Sequence, residues 1–381
     1  MTETLQTTGT AVAEPPTTQM LIDVDCHPLP TPEDLKAHMP TRWVEYLETY
    51  GYRTPSPELG IVRARFMGCR TDAWPPSGKP PGADVDFFRE QHLDAFGVDA
   101  CVLHDIMASI QSFNGGAAPQ EFTRALFRAV NAWHDEAWLA TDDRFYSSIL
   151  LPLEDPKGAV EELERWAANP RFACVVLPFR THMPIGNRKY WDILEAIVHH
   201  DLPIAFHPGN GGNNPYSGAG FPSFYYEDHC GLANALLAQL SSLVCEGVFD
   251  RWPSLRVVAL EGGWTWIPAY SARFDSAWSQ FGDELPHLQR RPSEYLREHL
   301  WFSTQPLEES ENPKHFAQAL GLLDAPDRIM FSSDYPHWDF DSPTEVSRLV
   351  PDHLREGIMG HNAIRCFPRL AHLENGGHVH S

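Results

Sequence analysis

Paired cysteines are missing from this chain. Its seven cysteines, Cys26, Cys69, Cys101, Cys174, Cys230, Cys245 and Cys366, stand singly, with no Cys-x-x-Cys spacing. An odd, scattered set in 381 residues excludes a disulfide scaffold and predicts reduced thiols in the cytoplasm. Basic residues are scarce as well: 29 Lys and Arg stand against 51 Asp and Glu, a formal net charge of -22. Nucleic acid and anionic membrane surfaces both need a basic face, so neither is expected as a partner. No apolar run approaches the length of roughly 18 residues that a membrane span requires. Residues 1–19 lack a basic start and an apolar stretch, and their Thr, Ala and Pro predict a disordered arm instead of an export signal.

What is present is a core-forming composition, with 43% hydrophobic and 21% charged residues. Eight short runs rich in Val, Ile, Leu, Phe and Ala read as strands buried on both faces: 20–27, 98–105, 145–152, 172–179, 202–207, 255–261, 300–305 and 328–334. Helical stretches separate most of them, as at 121–139, 158–168, 190–199, 231–246 and 343–349. Such alternation predicts a parallel sheet, and eight units predict its closure into an α/β, (β/α)8 TIM barrel. One domain is expected over 20–370, with a flexible tail at 371–381. Residues 51–83 and 208–230 are too long and too rich in Pro and Gly for simple connections. They predict insertions after strands 1 and 5 that overhang the barrel mouth.

Several strands end on a metal-binding or acidic side chain. Met20–His27 ends in Asp25-x-His27, Leu202–His207 in an imidazole, Leu255–Glu261 in a carboxylate, and Arg328–Asp334 is followed by Tyr-Pro-His337. In a parallel barrel these carboxyl ends converge on one mouth. Asp25 and His27, two apart on a strand, share a face, while Cys26 points away. A buried Asp334 needs a cation or several donors to offset its desolvation. Glu261 reads as a metal ligand, as a general base beside a metal, or as a charge partner of Arg273; His337 reads as a ligand or as a hydrogen-bonding group for substrate. His104, His182 and His229 are further candidates, with His229 considered for catalysis beside Glu261 and His337. Arg63, Arg65 and Arg70 offer a bidentate grip on a substrate carboxylate. Trp264, Trp266, Trp338 and the aromatics of 221–226 predict a partly apolar mouth suited to a small organic acid or amide. The tail histidines His372, His378 and His380 read as solvated.

Four motifs together resemble the amidohydrolase superfamily: Ile-Asp-Val-Asp-Cys-His at the first strand, Phe-His-Pro-Gly after the fifth, Ser-Ser-Asp-Tyr-Pro-His near the end, and 247–268 with its Leu-Glu-Gly-Gly-Trp. The branch they resemble contains aminocarboxymuconate-semialdehyde decarboxylase. This resemblance implies a metal-bearing barrel with Asp25, His27, His207 and Asp334 at the principal ligand positions. The chain departs from the family in two places: Asp25 stands where His is usual, and Glu261 stands where the decarboxylases carry a His. The fourth strand also lacks the Lys or Glu that bridges two metals in many hydrolases of the superfamily. A more carboxylate-rich set favours Mn or Fe over a lone Zn. Asp25, His27, His207, Glu261, Asp334 and His337 are thus expected to hold two ions, Fe or Mn, with Zn as the alternative. The pattern resembles the dinuclear hydroxylases of this branch, such as the one acting on 2-aminoisobutyrate. It predicts a monooxygenase that hydroxylates an aliphatic C–H bond and needs an electron donor. The alternatives are a hydrolase of an amide or lactone, a non-oxidative decarboxylase of an aromatic acid, and a catalytically silent subunit. The resemblance further implies a homo-oligomer or a pairing with a homologous subunit.

Overall fold

The computed structural model describes residues 19–51, 68–105, 119–209, 219–220, 222–308 and 312–375. Eight strands form one parallel sheet in sequential order: β1 (Ile22–Cys26), β2 (Ala100–Leu103), β3 (Phe145–Leu150), β4 (Phe172–Pro178), β5 (Ile204–His207), β6 (Val257–Ala259), β7 (Leu300–Ser303) and β8 (Ile329–Met330). The sheet closes where the Val24 N–H donates to the Phe331 carbonyl at 3.1 Å and the His27 N–H to the Tyr335 carbonyl at 2.8 Å. This is the (β/α)8 barrel that the strand–helix alternation predicts. The strands are shorter than the apolar runs, because the ladder stops before the run does at β6 and β8.

Every strand residue is buried, and the two faces do different work. Ile22, Val24, Ala100, Val102, Ala173, Ala205, Val258 and Met330 fill the barrel interior. Leu103, Ile149, Val175, Leu177, Ile204 and Phe302 pack outward against the helices. The helix Pro156–Trp166 shows why these elements form. Asp155 caps it by accepting the Gly158 N–H at 3.2 Å, Pro156 opens it, and Ala159 and Leu163 turn one apolar face to the sheet. Each large side chain buried this way contributes roughly 1.5–3 kcal/mol.

The amino-terminal end of the barrel is plugged by the chain's own carboxyl-terminal region. Phe367, Leu370 and Leu373 join the interior cluster, and the Tyr146 hydroxyl meets His372 Nε2 at 3.1 Å. Packing therefore continues past the boundary expected at residue 370, because Leu370 and Leu373 are spaced to share one face of the turn Pro368–Asn375. His372 makes this one contact yet stays exposed, as the sequence predicts, while His378 and His380 lie outside the described residues. The opposite end, where the strands terminate, is left to the loops. There the region after β1 returns to the mouth: the Leu29 N–H donates to the Gly82 carbonyl at 2.8 Å, and the Trp338 N–H to that of Gly68 at 2.9 Å. Gly82 has φ +78°, and a Cβ there would sit 2.4 Å from the His27 carbonyl oxygen, so only glycine allows this approach.

Candidate metal centre

Strand ends supply the inner cluster. Asp25 and His27 leave β1, His207 closes β5, and Asp334 follows β8 by four residues. The structure brings one ligand atom of each within 4.8 Å of the others, and all four side chains are buried. Nε2 of His27 lies 2.7 Å from Asp334 Oδ1 and 3.4 Å from Asp25 Oδ1; Nε2 of His207 lies 3.6 Å from Asp25 Oδ1. Each imidazole is fixed from behind, His27 Nδ1 meeting the His104 carbonyl at 2.9 Å and His207 Nδ1 the Pro208 carbonyl at 2.8 Å. A carbonyl accepts only, so Nδ1 carries the hydrogen in each ring and Nε2 presents a lone pair.

That arrangement asks for a cation. Burial holds His27 well below the usual imidazole range and His207 at about 3, so both rings are neutral. Burial and then the neighbouring carboxylates push Asp25 and Asp334 well above theirs. Lone pairs of neutral rings then face carboxylate oxygens, and both oxygens of Asp25 lack any hydrogen-bond donor. Unpaired buried acceptors are costly, and a divalent ion satisfies all of them at once. The donor set of two carboxylates and two imidazoles fits such an ion.

A second shell of chemistry lies toward the mouth. Glu261 Oε2 is 3.4 Å from His207 Nε2, and its Oε1 is 3.5 Å from His229 Nε2. His229 also stands 2.9 Å from Asp339 Oδ2. Burial disfavours the His229 imidazolium, but hydrogen bonding and charge from Asp339 and Glu261 outweigh it and raise the pKa to about 10. His337 Nδ1 meets Asp334 Oδ1 at 2.6 Å, and the ring stacks on His27 with centroids 4.6 Å apart. Gln305, at the end of the seventh predicted strand, donates from Nε2 to Asp334 at 3.2 Å and to Asp339 at 2.9 Å. Glu261 and Asp334 both adopt left-handed backbone, φ 51° and 60°, a conformation that side-chain-bearing residues hold at a cost of order 1–3 kcal/mol. Gly263 makes the Glu261 turn possible: a Cβ there would meet Glu308 Oε1 at 2.5 Å, and Glu308 accepts the N–H groups of Trp264 and Thr265.

The other candidates fall elsewhere. His104 acts through its backbone carbonyl, and its own Nε2 turns back to the Val24 carbonyl at 3.0 Å. His182 is exposed. Arg70 is committed to Asp72 at 2.6 Å and lies over the Phe340 ring, while Arg63 and Arg65 lie outside the described residues. Trp264 is not at the mouth: it is buried against Phe316, because the Gly262-Gly263 turn swings it out to the helices. Trp338 is at the mouth, half exposed, with Nε1 donating to the Tyr225 hydroxyl at 3.2 Å and its ring 5.3 Å from His229. Asp339 and Gln305 escaped the sequence reading. Gln305 had a signal, its place at a strand end; Asp339 had none, since only the folded loop brings it to His229.

Comparison with known proteins bears on the reaction. The chain is 27% identical over 298 residues to a gamma-resorcylate decarboxylase from Rhodococcus jostii (strain RHA1), covering 71% of this chain and 85% of the relative. Among solved structures it resembles an amidohydrolase from Mycobacterium avium subsp. paratuberculosis K-10, with a TM-score of 0.68 at 18% identity, covering 92% of this chain and 100% of that one. It also resembles a dihydroxybenzoic acid decarboxylase from Polaromonas sp. JS666 with bound manganese and the inhibitor 2-nitroresorcinol, with a TM-score of 0.65 at 20% identity, covering 94% and 100%. The similar sequences with a named reaction are gamma-resorcylate decarboxylases, which overturns the expectation of a monooxygenase with its electron donor. The physical error lay in the donor set. Carboxylate-rich ligands select a hard divalent ion but do not distinguish redox chemistry from the holding of an anion. Nor is an imidazole missing beside Glu261, since His229 supplies one from the loop after β5. Residues 22–369 match the family described as Amidohydrolase, and the chain belongs to it.

Proposed function

We propose that this protein is a metal-dependent, non-oxidative decarboxylase of a hydroxylated aromatic carboxylic acid. The observation that carries the reading is the pairing of an inner cluster that fits a cation with an imidazole, His229, held between two carboxylates beside it. Asp25, His27, His207 and Asp334 would hold one divalent ion, manganese best matching the donors. When bound, the ion would supply positive charge that stabilises the anionic substrate. Glu261 and His337 then serve substrate and proton, not a second ion, so elemental analysis should find one equivalent per chain instead of two. Trp338 and Tyr225 offer aromatic faces to the substrate ring. His337, oriented through Nδ1 by Asp334, presents Nε2 to the substrate's oxygen substituents.

The proton comes from His229. Its Nε2 carries a hydrogen between Glu261 and Asp339, and transfers it to the ring carbon bearing the carboxylate. The bond from that carbon to the carboxylate breaks, its electron pair restores the aromatic ring, and CO2 leaves. Atoms and charge balance without oxidant or reductant: one proton replaces one CO2. Solvent, which reaches the partly open Asp339 beside it, returns a proton to Nε2. No disulfide joins any of the seven cysteines, all of which are described residues, in keeping with a cytoplasmic setting for this reaction.

The test is anaerobic incubation of manganese-loaded protein with a panel of hydroxylated benzoates that includes 2,6-dihydroxybenzoate, measuring CO2. Release of CO2 without oxygen, lost on chelation, is the expected result. Turnover that requires oxygen, or none with any hydroxybenzoate, overturns the reading.

A further inference from the structure

β1 carries one residue more than its neighbour. Asp23 pairs with Cys101 and Cys26 with Leu103, so three steps along β1 match two along β2. An extra residue of this kind interrupts the ladder and re-aims the side chains that follow it. Here it decides where Asp25 points. Ile22 and Val24 face the barrel interior, so strict alternation would turn Asp25 outward with Asp23, toward the helices. The displaced Asp25 N–H is taken up by the Asp23 side chain, donating to Oδ1 at 3.2 Å.

The same oxygen reaches across the seam of the barrel. Asp23 Oδ1 also accepts the Ser333 N–H at 3.0 Å, one residue before Asp334. Its other oxygen lies 2.8 Å from His92 Nε2, and the His92 ring stacks flat on Tyr335, one residue after Asp334, with centroids 4.9 Å apart. Both Asp23 and His92 are fully buried. Cys26 Sγ lies 3.6 Å from the same His92 nitrogen, yet Asp23 and His92 already direct their facing atoms at each other, so this trio needs no ion of its own.

We propose that Asp23 is a positioning residue for the metal centre. Through one oxygen it fixes the backbones that carry Asp25 and Asp334, and through the other it is locked in place by His92. The inference rests on the metal-centre reading above. What matters in it is an acceptor at Oδ1, not the negative charge, and that separates it from a general electrostatic effect.

The experiment is a titration of the full-length, metal-free protein with Mn2+, followed by the paramagnetic resonance of the unbound ion, with thermal unfolding of the metal-free form in parallel. Asp23→Ala should weaken Mn2+ binding roughly 10–100-fold, the range seen when groups behind metal ligands are removed. Asp23→Asn keeps the acceptor oxygen, and its NH2 can donate to His92 Nε2 once that ring carries its hydrogen on Nδ1, so it should stay within about threefold of wild type. A merely structural role predicts a lower unfolding temperature for Asp23→Ala with unchanged affinity, and that result overturns the proposal. Equal losses in Asp23→Ala and Asp23→Asn overturn it too, by making charge the cause. Should Asp23→Ala not fold, His92→Ala carries the test: about a tenfold loss supports the proposal and wild-type affinity overturns it. Wild-type protein that takes up no Mn2+ overturns the metal-centre reading together with this inference.

Discussion

If the inner cluster holds the proposed ion, neutral imidazoles whose lone pairs face carboxylate oxygens make each of its four residues individually necessary. Asp25→Ala and His207→Ala are expected to strip the ion and abolish turnover, which elemental analysis and CO2 release check together; an active variant of either places the chemistry elsewhere. His229→Gln should behave differently, keeping the metal and losing roughly 10²–10⁴-fold in kcat, the usual loss when a proton donor is removed. The same residue leaves a mark on stability. In the metal-free protein its folded pKa, about 10, lies above the ordinary histidine value of about 6.5. The imidazolium's contribution is therefore fully present below about pH 6.5 and disappears as the pH rises through about 10. The difference in Tm between wild type and His229→Gln, both metal-free, should be a few degrees at pH 6 and vanish above pH 10. A difference that grows with pH contradicts the assignment.

Elements, more than residues, explain what the sequence reveals and what it hides. Asp25, His27, His207, Glu261 and Asp334 were legible because a strand end is a local pattern, and a parallel barrel sends all strand ends to one place. The extra residue in β1 was not legible, since it exists only in the register between β1 and β2. His229 stood out only as a histidine in a long loop. Its function depends on a six-residue helix, Tyr225–Cys230, too short to hold itself. Besides the contacts of Tyr225 and His229 at the mouth, the Glu227 carboxylate accepts the N–H groups of Ser223 and Phe224, at 2.7 and 2.8 Å, and Asp228 pairs with Arg180, just beyond β4, at 2.8 Å. Arg180 is buried, so removal of the Asp228 carboxylate takes one anionic partner from it and loosens the helix. Asp228→Ala is thus expected to lower kcat by roughly tenfold or more through misplacement of His229, with Mn2+ still bound at one per chain. Steady-state kinetics beside a metal assay checks this, and unchanged kcat shows that the helix stays in place without Arg180.

Across the whole molecule, the ion joins segments that the chain keeps far apart. β1 and β8 meet at the barrel seam, β5 lies opposite, and Asp25, His207 and Asp334 draw all three toward one point. An ion that binds only the folded state at 100 times its dissociation constant stabilises by about 2.7 kcal/mol. For a chain of this length that corresponds to roughly 3–5 °C in Tm, which chelation should remove and Mn2+ restore. The effect has a predictable pH dependence. His27 and His207 are already neutral, so protons compete with the ion chiefly at the carboxylates. The pKa values of Asp25 and Asp334 are raised above 3.8, so in the metal-free fold these groups keep protons that the unfolded chain has lost. As the pH rises from about 4 those protons leave, the metal-free fold loses stability to repulsion between the two carboxylates, and the metal-bound fold gains affinity. The Tm gap between the two forms should therefore widen from pH 5 to pH 8. A gap that stays constant or narrows over that range, measured by scanning calorimetry with and without Mn2+, means that Asp25 and Asp334 do not share one ion.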